Sequence, residues 1–131
     1  IFTNTGIIIY LGEAKKKWLI PPSPFFKTLG IKIDTHGKMP DVIIYDSNRN
    51  WLFLIEAVTS HGPFTEKRKI ELERIFENSS CSLIFVTAFP GKDYKNSSTD
   101  LRKIAWETEV WFADEPDHMI HFNGHKFLGP Y

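Results

Sequence analysis

The sequence holds a single cysteine, no net charge and no long apolar run. Cys81 alone cannot form an internal disulfide, which argues against a secreted fold built on bridges. The 16 Lys+Arg cancel the 16 Asp+Glu, so overall basicity gives no argument for nucleic acid and only a local basic face would. The longest apolar runs, Ile7–Leu11 and Trp51–Ile55, fall far short of the roughly 20 residues that span a bilayer. No membrane partner is expected. No cationic start leads into an apolar stretch, so no signal peptide is visible and a cytoplasmic location is the expectation. Internal repeats and low-complexity segments are absent. The first residue is Ile rather than Met, and the chain reads as one piece of a longer protein.

What is present suits one ordinary domain spanning 1–131. At 42% apolar and 15% aromatic residues it is not a disordered tail, and its length buries a core without a staple. Ile7–Leu11, between Gly6 and Gly12, reads as a buried strand. The stretch from Lys15 to Pro24 reads as exposed loop, its three lysines either a solvated surface or a phosphate contact. Val42–Tyr45 and Trp51–Ile55 flank the turn residues Asp46–Asn50 and form a hairpin. Both strands are apolar on both faces, so the hairpin belongs inside a sheet covered on each side, an α/β trait. Thr65 to Asn78 reads as a helix with Thr65 as N-cap and Leu72, Ile75 and Phe76 on one face. Leu83–Val86 and Val110–Phe112 are further strands, and Ser98 or Thr99 caps a short helix through Trp106. Met119–Phe122, the Asn123-Gly124 turn and His125–Leu128 read as a C-terminal hairpin.

With Asn48-Arg49 at the centre of the first hairpin, paired residues have numbers that sum to 97, and Asp41 and Glu56 form such a pair. They then share a face with Cβ atoms about 5 Å apart. Two carboxylates at that separation repel. A shared proton or a divalent cation offsets this, and paired carboxylates are a usual anchor for Mg²⁺ in phosphate chemistry. The bland alternative is two unrelated carboxylates beyond the strand ends, since a one-residue slip separates the faces.

Pro40-Asp41 followed by Glu56 resembles the Pro-Asp…(Asp/Glu)-x-Lys nuclease signature. Longer strings are more specific. They are His36-Gly37-Lys38-Met39-Pro40-Asp41-Val42, Val58-Thr59-Ser60-His61-Gly62-Pro63, Val86-Thr87-Ala88-Phe89-Pro90, Ile104-Ala105-Trp106-Glu107-Thr108-Glu109-Val110-Trp111 and Ile120-His121-Phe122-Asn123-Gly124. Together they resemble the C-terminal catalytic domain of the BsuBI/PstI type II restriction endonucleases, from about Tyr10 to Tyr131. The resemblance implies an α/β restriction-endonuclease-like PD-(D/E)xK core, a central mixed sheet with flanking helices plus the C-terminal hairpin. It implies a Mg²⁺-dependent enzyme that cuts double-stranded DNA at a palindromic site as a homodimer, and an N-terminal domain outside this chain. Asp41, Glu56 and the main-chain carbonyl of Ala57 would hold the metal.

One position departs from the broad signature: the lysine expected two residues after Glu56 is Val58. Either a cation comes from elsewhere, or the domain is an inactive module that grips DNA. A hydrolase of small phosphate esters is a further alternative. The nearest basic cluster is Lys67-Arg68-Lys69 in the first turn of the helix after Glu56, where exposed N–H groups favour an anion. Helical geometry favours Arg68 and Lys69, which flank the stripe of Leu72 and Phe76. The resemblance favours Lys67 and Arg68. Arg stays protonated and is a poor proton acceptor, so Lys67 is the expected catalytic cation, Arg68 a phosphate clamp and Lys69 the runner-up. The alternative is a set of solvent-facing charges paired to Glu71 or Glu73. His61 is either a DNA-phosphate contact near the site or a loop histidine without a role. Glu13 is a possible additional acid or a balance for the three lysines beside it. His118 and His121 differ by an odd number, so they should point to opposite faces and hold no zinc. Trp106 and Trp111 read as core.

Overall fold

The computed structural model describes residues 6–11, 17–18, 39–58, 63–91 and 101–124. Its elements are β1 (Gly6–Leu11), β2 (Lys17–Trp18), β3 (Val42–Asp46), β4 (Trp51–Ala57), α1 (Glu66–Ile75), β5 (Ser82–Phe89), β6 (Thr108–Phe112) and β7 (Met119–Phe122). The strands form one mixed sheet in the order β2-β1-β3-β4-β5-β6-β7. β4, β5 and β6 run parallel to their neighbours in that trio, and every other pairing is antiparallel. This is the expected α/β architecture with a mixed central sheet.

The first hairpin forms in the register read from the sequence, with Val42 opposite Ile55 and Asp46 opposite Trp51. Its turn closes because the buried Asp46 carboxylate accepts the N–H groups of Asn48 and Arg49, and Asn50 takes the left-handed φ of 59° that asparagine tolerates. β4 is the centre of the sheet, with Leu52, Phe53, Leu54, Ile55 and Glu56 all buried.

The two faces of the sheet are covered differently. Leu52 and Leu54 point to the side of α1 and pack with Phe64, Leu72, Phe76 and Phe85. Phe53, Ile55 and Val86 point to the other side, rimmed by half-buried Trp51, Ile84 and Trp111. Among the described elements α1 covers the first of these faces, and Phe53, Ile55 and Val86 on the second are buried as well. α1 begins where expected, with the Thr65 hydroxyl accepting the Arg68 N–H at 3.2 Å. It ends at Ile75, three residues before Asn78, because Phe76 has left helical geometry.

Two expectations change, and a third lies outside the described residues. The helix proposed through Trp106 is absent after Leu101: residues 102–107 are turn and irregular chain, held by Ala105 N–H donating to the Phe64 carbonyl at 2.8 Å. The proposed caps Ser98 and Thr99 lie outside the described residues. β7 pairs with β6 across 113–118, and the strand expected to follow it, His125–Leu128, lies outside the described residues. Within the segment read as loop, Lys17 and Trp18 pair with Leu11 and Tyr10.

Candidate active site

The site grows from the place where β3 is shorter than β4. Residues of a strand alternate the side to which their N–H and C=O point. Val58 donates to the Ala88 carbonyl of β5 at 2.9 Å, so Ala57 turns its own N–H and C=O toward the β3 side. β3 begins only at Val42, so no strand residue stands there. The Asp41 carboxylate fills that place, its Oδ2 accepting the Ala57 N–H at 2.8 Å. Continuing the register by one step sets Asp41 opposite Glu56. Glu56 follows Leu52 and Leu54 onto the α1 face and is buried at 3% exposure.

A carboxylate so deep in an apolar sheet needs compensation. Arg68 supplies it. Its Nε and Nη2 both reach Glu56 Oε1 at 2.7 Å, its Nη2 also donates to the Met39 carbonyl at 3.2 Å, and its Nη1 meets Glu71 at 3.4 Å. One guanidinium thus ties the first turn of α1 to β4 and to the residues that lead into Asp41. Of the other basic residues, Lys67 stands exposed on α1. Lys69 is directed away, donating to the Trp106 carbonyl at 3.2 Å and pairing with Glu107 at 3.7 Å. Arg68 and Lys69 are the half-buried pair, as helix geometry alone indicates. Glu13 and His61 lie outside the described residues.

Tyr10 joins the site without a sequence signal. The β1–β3 register shifts between Ile8 and Tyr10, a bulge that lets both Ile9 and Tyr10 turn inward. Burial, and after it the Asp41 charge, raises the Tyr10 phenol above the usual tyrosine value. The folded phenol therefore holds its proton to higher pH than the unfolded one. Its contribution to stability is intact below the ordinary tyrosine range and is lost as pH climbs through the raised value. In Asp41→Asn the phenol should titrate at a lower pH than in the unsubstituted protein, with burial still holding it above normal. Difference absorbance of tyrosinate against pH checks this, and an unmoved titration would place Asp41 away from Tyr10.

Val58 explains its own identity. It is 2% exposed and packs with Phe89, Ile104, Val110 and Phe112. An ammonium at that position would be buried among apolar side chains. A cavity of about 330 Å³ lies on the opposite face of the sheet, between Trp51, Phe53, Trp111 and Met119, away from the carboxylates. Both His118 and His121 line it, so the opposite-face expectation is corrected: His118 precedes β7, and strand alternation does not govern it. His121 Nδ1 pairs with Glu109, the residue opposite it on β6. Among the described residues no group of three or more His, Cys, Asp or Glu could hold a metal.

The BsuBI/PstI restriction endonuclease domain model matches residues 1–125. The chain belongs to that family. It is 49% identical over 126 residues to the type II restriction enzyme BsuBI of Bacillus subtilis, covering 96% of this chain and 39% of that protein. It is 39% identical over 103 residues to the type II restriction enzyme AplI of Arthrospira platensis, covering 76% of this chain and 31% of that one. The solved structure of SdaI restriction endonuclease superposes with a TM-score of 0.81 at 43% identity, over 96% of this chain and 39% of SdaI. The chain thus spans well under half the length of its restriction-endonuclease relatives. Within the family frame, the structure brings together Asp41, Glu56, Ala57 and Arg68. It leaves Lys67 on the surface and sends Lys69 to the turn at Trp106.

Trp106 departs furthest from expectation. It is 61% exposed rather than core, because the turn at 102–107 buries Ile104 and Ala105 instead. Trp111 is half-buried, its Nε1 donating to the Pro116 carbonyl at 3.1 Å.

Proposed function

We propose that the intact protein is a type II restriction endonuclease, hydrolysing phosphodiester bonds of double-stranded DNA at a specific palindromic site with Mg²⁺. The observation that carries this reading is the opposed Asp41 and Glu56 at the open end of the β3–β4 hairpin, with Arg68 across Glu56. The donor set fits the ion. Two carboxylates and the Ala57 carbonyl are hard oxygen ligands, and Mg²⁺ characteristically keeps several waters beside one or two carboxylates. When bound, the ion polarises a phosphate oxygen and lowers the pKa of a bound water.

The chain's own groups then have separable tasks. Asp41 and Glu56 would hold the ion, and the Ala57 N–H fixes the Asp41 carboxylate in orientation. Arg68, its two-nitrogen edge engaged by Glu56, is a donor to the phosphate through the remaining Nη1 hydrogen and its positive charge. Because arginine does not give up its proton, Arg68 orients and stabilises rather than acting as a base. Lys67, in the same helical turn, is the group assigned to orient or deprotonate the attacking water. A palindrome cut on both strands calls for two copies related by a two-fold axis, so the working form is a homodimer. The expected location is the cytoplasm.

A second reading is favoured by one observation. Val58 occupies the motif's lysine position and is sealed in apolar packing, as it would be in a module that binds DNA without cutting it. Plasmid DNA incubated with the intact protein, with and without Mg²⁺, separates the two. Discrete Mg²⁺-dependent bands are expected; a smear would remove site specificity, and an intact plasmid would favour the binding module.

A further inference from the structure

The turn at 102–107 places an indole and two cations outward while anchoring itself inward. Arg102, Lys103, Trp106 and Glu107 are exposed, whereas Ile104 and Ala105 are buried. The Trp106 ring is held in position. It lies against Phe122 with centroids 6.2 Å apart, and Gly124 passes so close beneath it that a Cβ there would stand 2.3 Å from the ring. The Lys69 ammonium donates to its carbonyl at 3.2 Å. The next residue, Glu107, takes a left-handed φ of 63° and donates its N–H to the Phe122 carbonyl at 2.6 Å. Backbone strain in a non-glycine residue persists only where its surroundings enforce it, and it gathers at functional places.

The location narrows the partner. Ala105 bonds to Phe64, which directly precedes the cap of α1. Arg68 leaves the first turn of α1 toward Glu56, and Lys69 leaves it toward Trp106. The turn and the carboxylates therefore flank the same helical turn. A duplex engaged at the carboxylates would run past this helical turn, its grooves being about 6–12 Å across. Cations for phosphates, interleaved with an aromatic face for sugar or base, are the chemistry that grips nucleic acid.

We propose that the turn at 102–107 is a second DNA-contacting element, in which Trp106 packs against the apolar face of a nucleotide while Arg102 and Lys103 pair with phosphates beside the one to be cut. The proposal rests on the DNA-cleaving reading above. Its test uses the intact protein and a duplex carrying its mapped cleavage site, with Ca²⁺ in place of Mg²⁺ and salt varied. Arg102→Ala with Lys103→Ala should flatten the slope of log affinity against log salt by about one for each phosphate that is no longer neutralised. Trp106→Ala should weaken binding about tenfold with the slope unchanged, and Trp106→Phe should recover most of the loss. Acrylamide quenching of the fluorescence that Trp106→Phe removes should fall when duplex is added. Unchanged affinity and slope in all three variants, with wild-type binding intact, would overturn the proposal and leave the cleavage reading standing. A Trp106→Ala protein that loses self-association while each copy binds duplex as before would make this a protein interface and overturn it as well. A wild-type protein that binds no duplex at all would overturn both readings together.

Discussion

Replacing Asp41 with alanine is expected to abolish cleavage while leaving DNA binding in Ca²⁺ intact or modestly weakened. The variant removes one of two opposed carboxylates and the acceptor of the Ala57 N–H at 2.8 Å. An unmet N–H costs about 1–3 kcal/mol if it stays dry, but this amide lies at the end of the hairpin, where water can replace the missing acceptor. The fold should therefore survive, and the loss should appear in turnover. Asp41→Asn sharpens the test. It keeps an oxygen for the Ala57 N–H and removes the charge, so the fold is unaffected while cation affinity and cleavage still fall. Plasmid cleavage beside a binding titration measures both. An Asp41→Ala protein that cuts at the unsubstituted rate would move the chemistry to other residues.

The second large effect is expected at Arg68, and it shows in stability as well as rate. Glu56 is buried, and Arg68 contributes a two-nitrogen contact to one of its oxygens. Removing one partner of a buried pair leaves an uncompensated charge and costs about 3–5 kcal/mol. Arg68→Ala should lower the melting temperature of the metal-free protein markedly. A divalent cation should restore more stability to this variant than to the unsubstituted protein, because it then compensates both carboxylates without competing with a guanidinium. Turnover should fall by about 10²–10³, the usual effect of losing one donor to the transition state. Lys67→Ala makes the contrast. Lys67 is exposed, so stability should change by no more than about 0.5 kcal/mol, while turnover falls by about 10²–10³ if its ammonium serves the attacking water. Thermal unfolding with and without Ca²⁺, beside single-turnover cleavage, resolves the two groups. Equal stability losses in Arg68→Ala and Lys67→Ala would refute the buried pair. Normal turnover in Lys67→Ala would remove it from the chemistry.

These contrasts mark what the residues disclose on their own. The hairpin register was legible because Val42–Tyr45 and Trp51–Ile55 are apolar on both faces around a turn rich in Asp, Ser and Asn. The structure pairs Val42 with Ile55 and Asp46 with Trp51 in that register. The start of α1 was legible from Thr65, whose hydroxyl does what a cap does. Periodicity ranked Arg68 above Lys67 as the inward residue, and the structure agrees with that ranking. Tyr10 was not legible, because a bulge obeys no alternation that a reader can count. Trp106 was not legible either. A helix was read into a segment with apolar residues at 101, 104, 105 and 106. The chain there is a turn that answers to Phe64 and Phe122, residues distant in sequence. Short-range pattern cannot foresee a segment whose shape is set by long-range bonds.

The step at which β3 stops short of β4 carries a consequence for how such a domain can change over generations. Asp41 meets Ala57 and Glu56 only because the count of residues through the turn at Asp46–Asn50 is fixed. A single insertion or deletion in that turn would slide β3 by one position and rotate Asp41 to the far side of the sheet. The apolar residues of β3 would tolerate this, being suited to either face, so the protein could fold and yet lose its site in one mutational event. Descent in this lineage is therefore expected to vary residues 47–49 while holding the length of the turn constant and keeping at 50 a residue that tolerates a left-handed φ. A library of turn sequences selected for cleavage should return many compositions and one length.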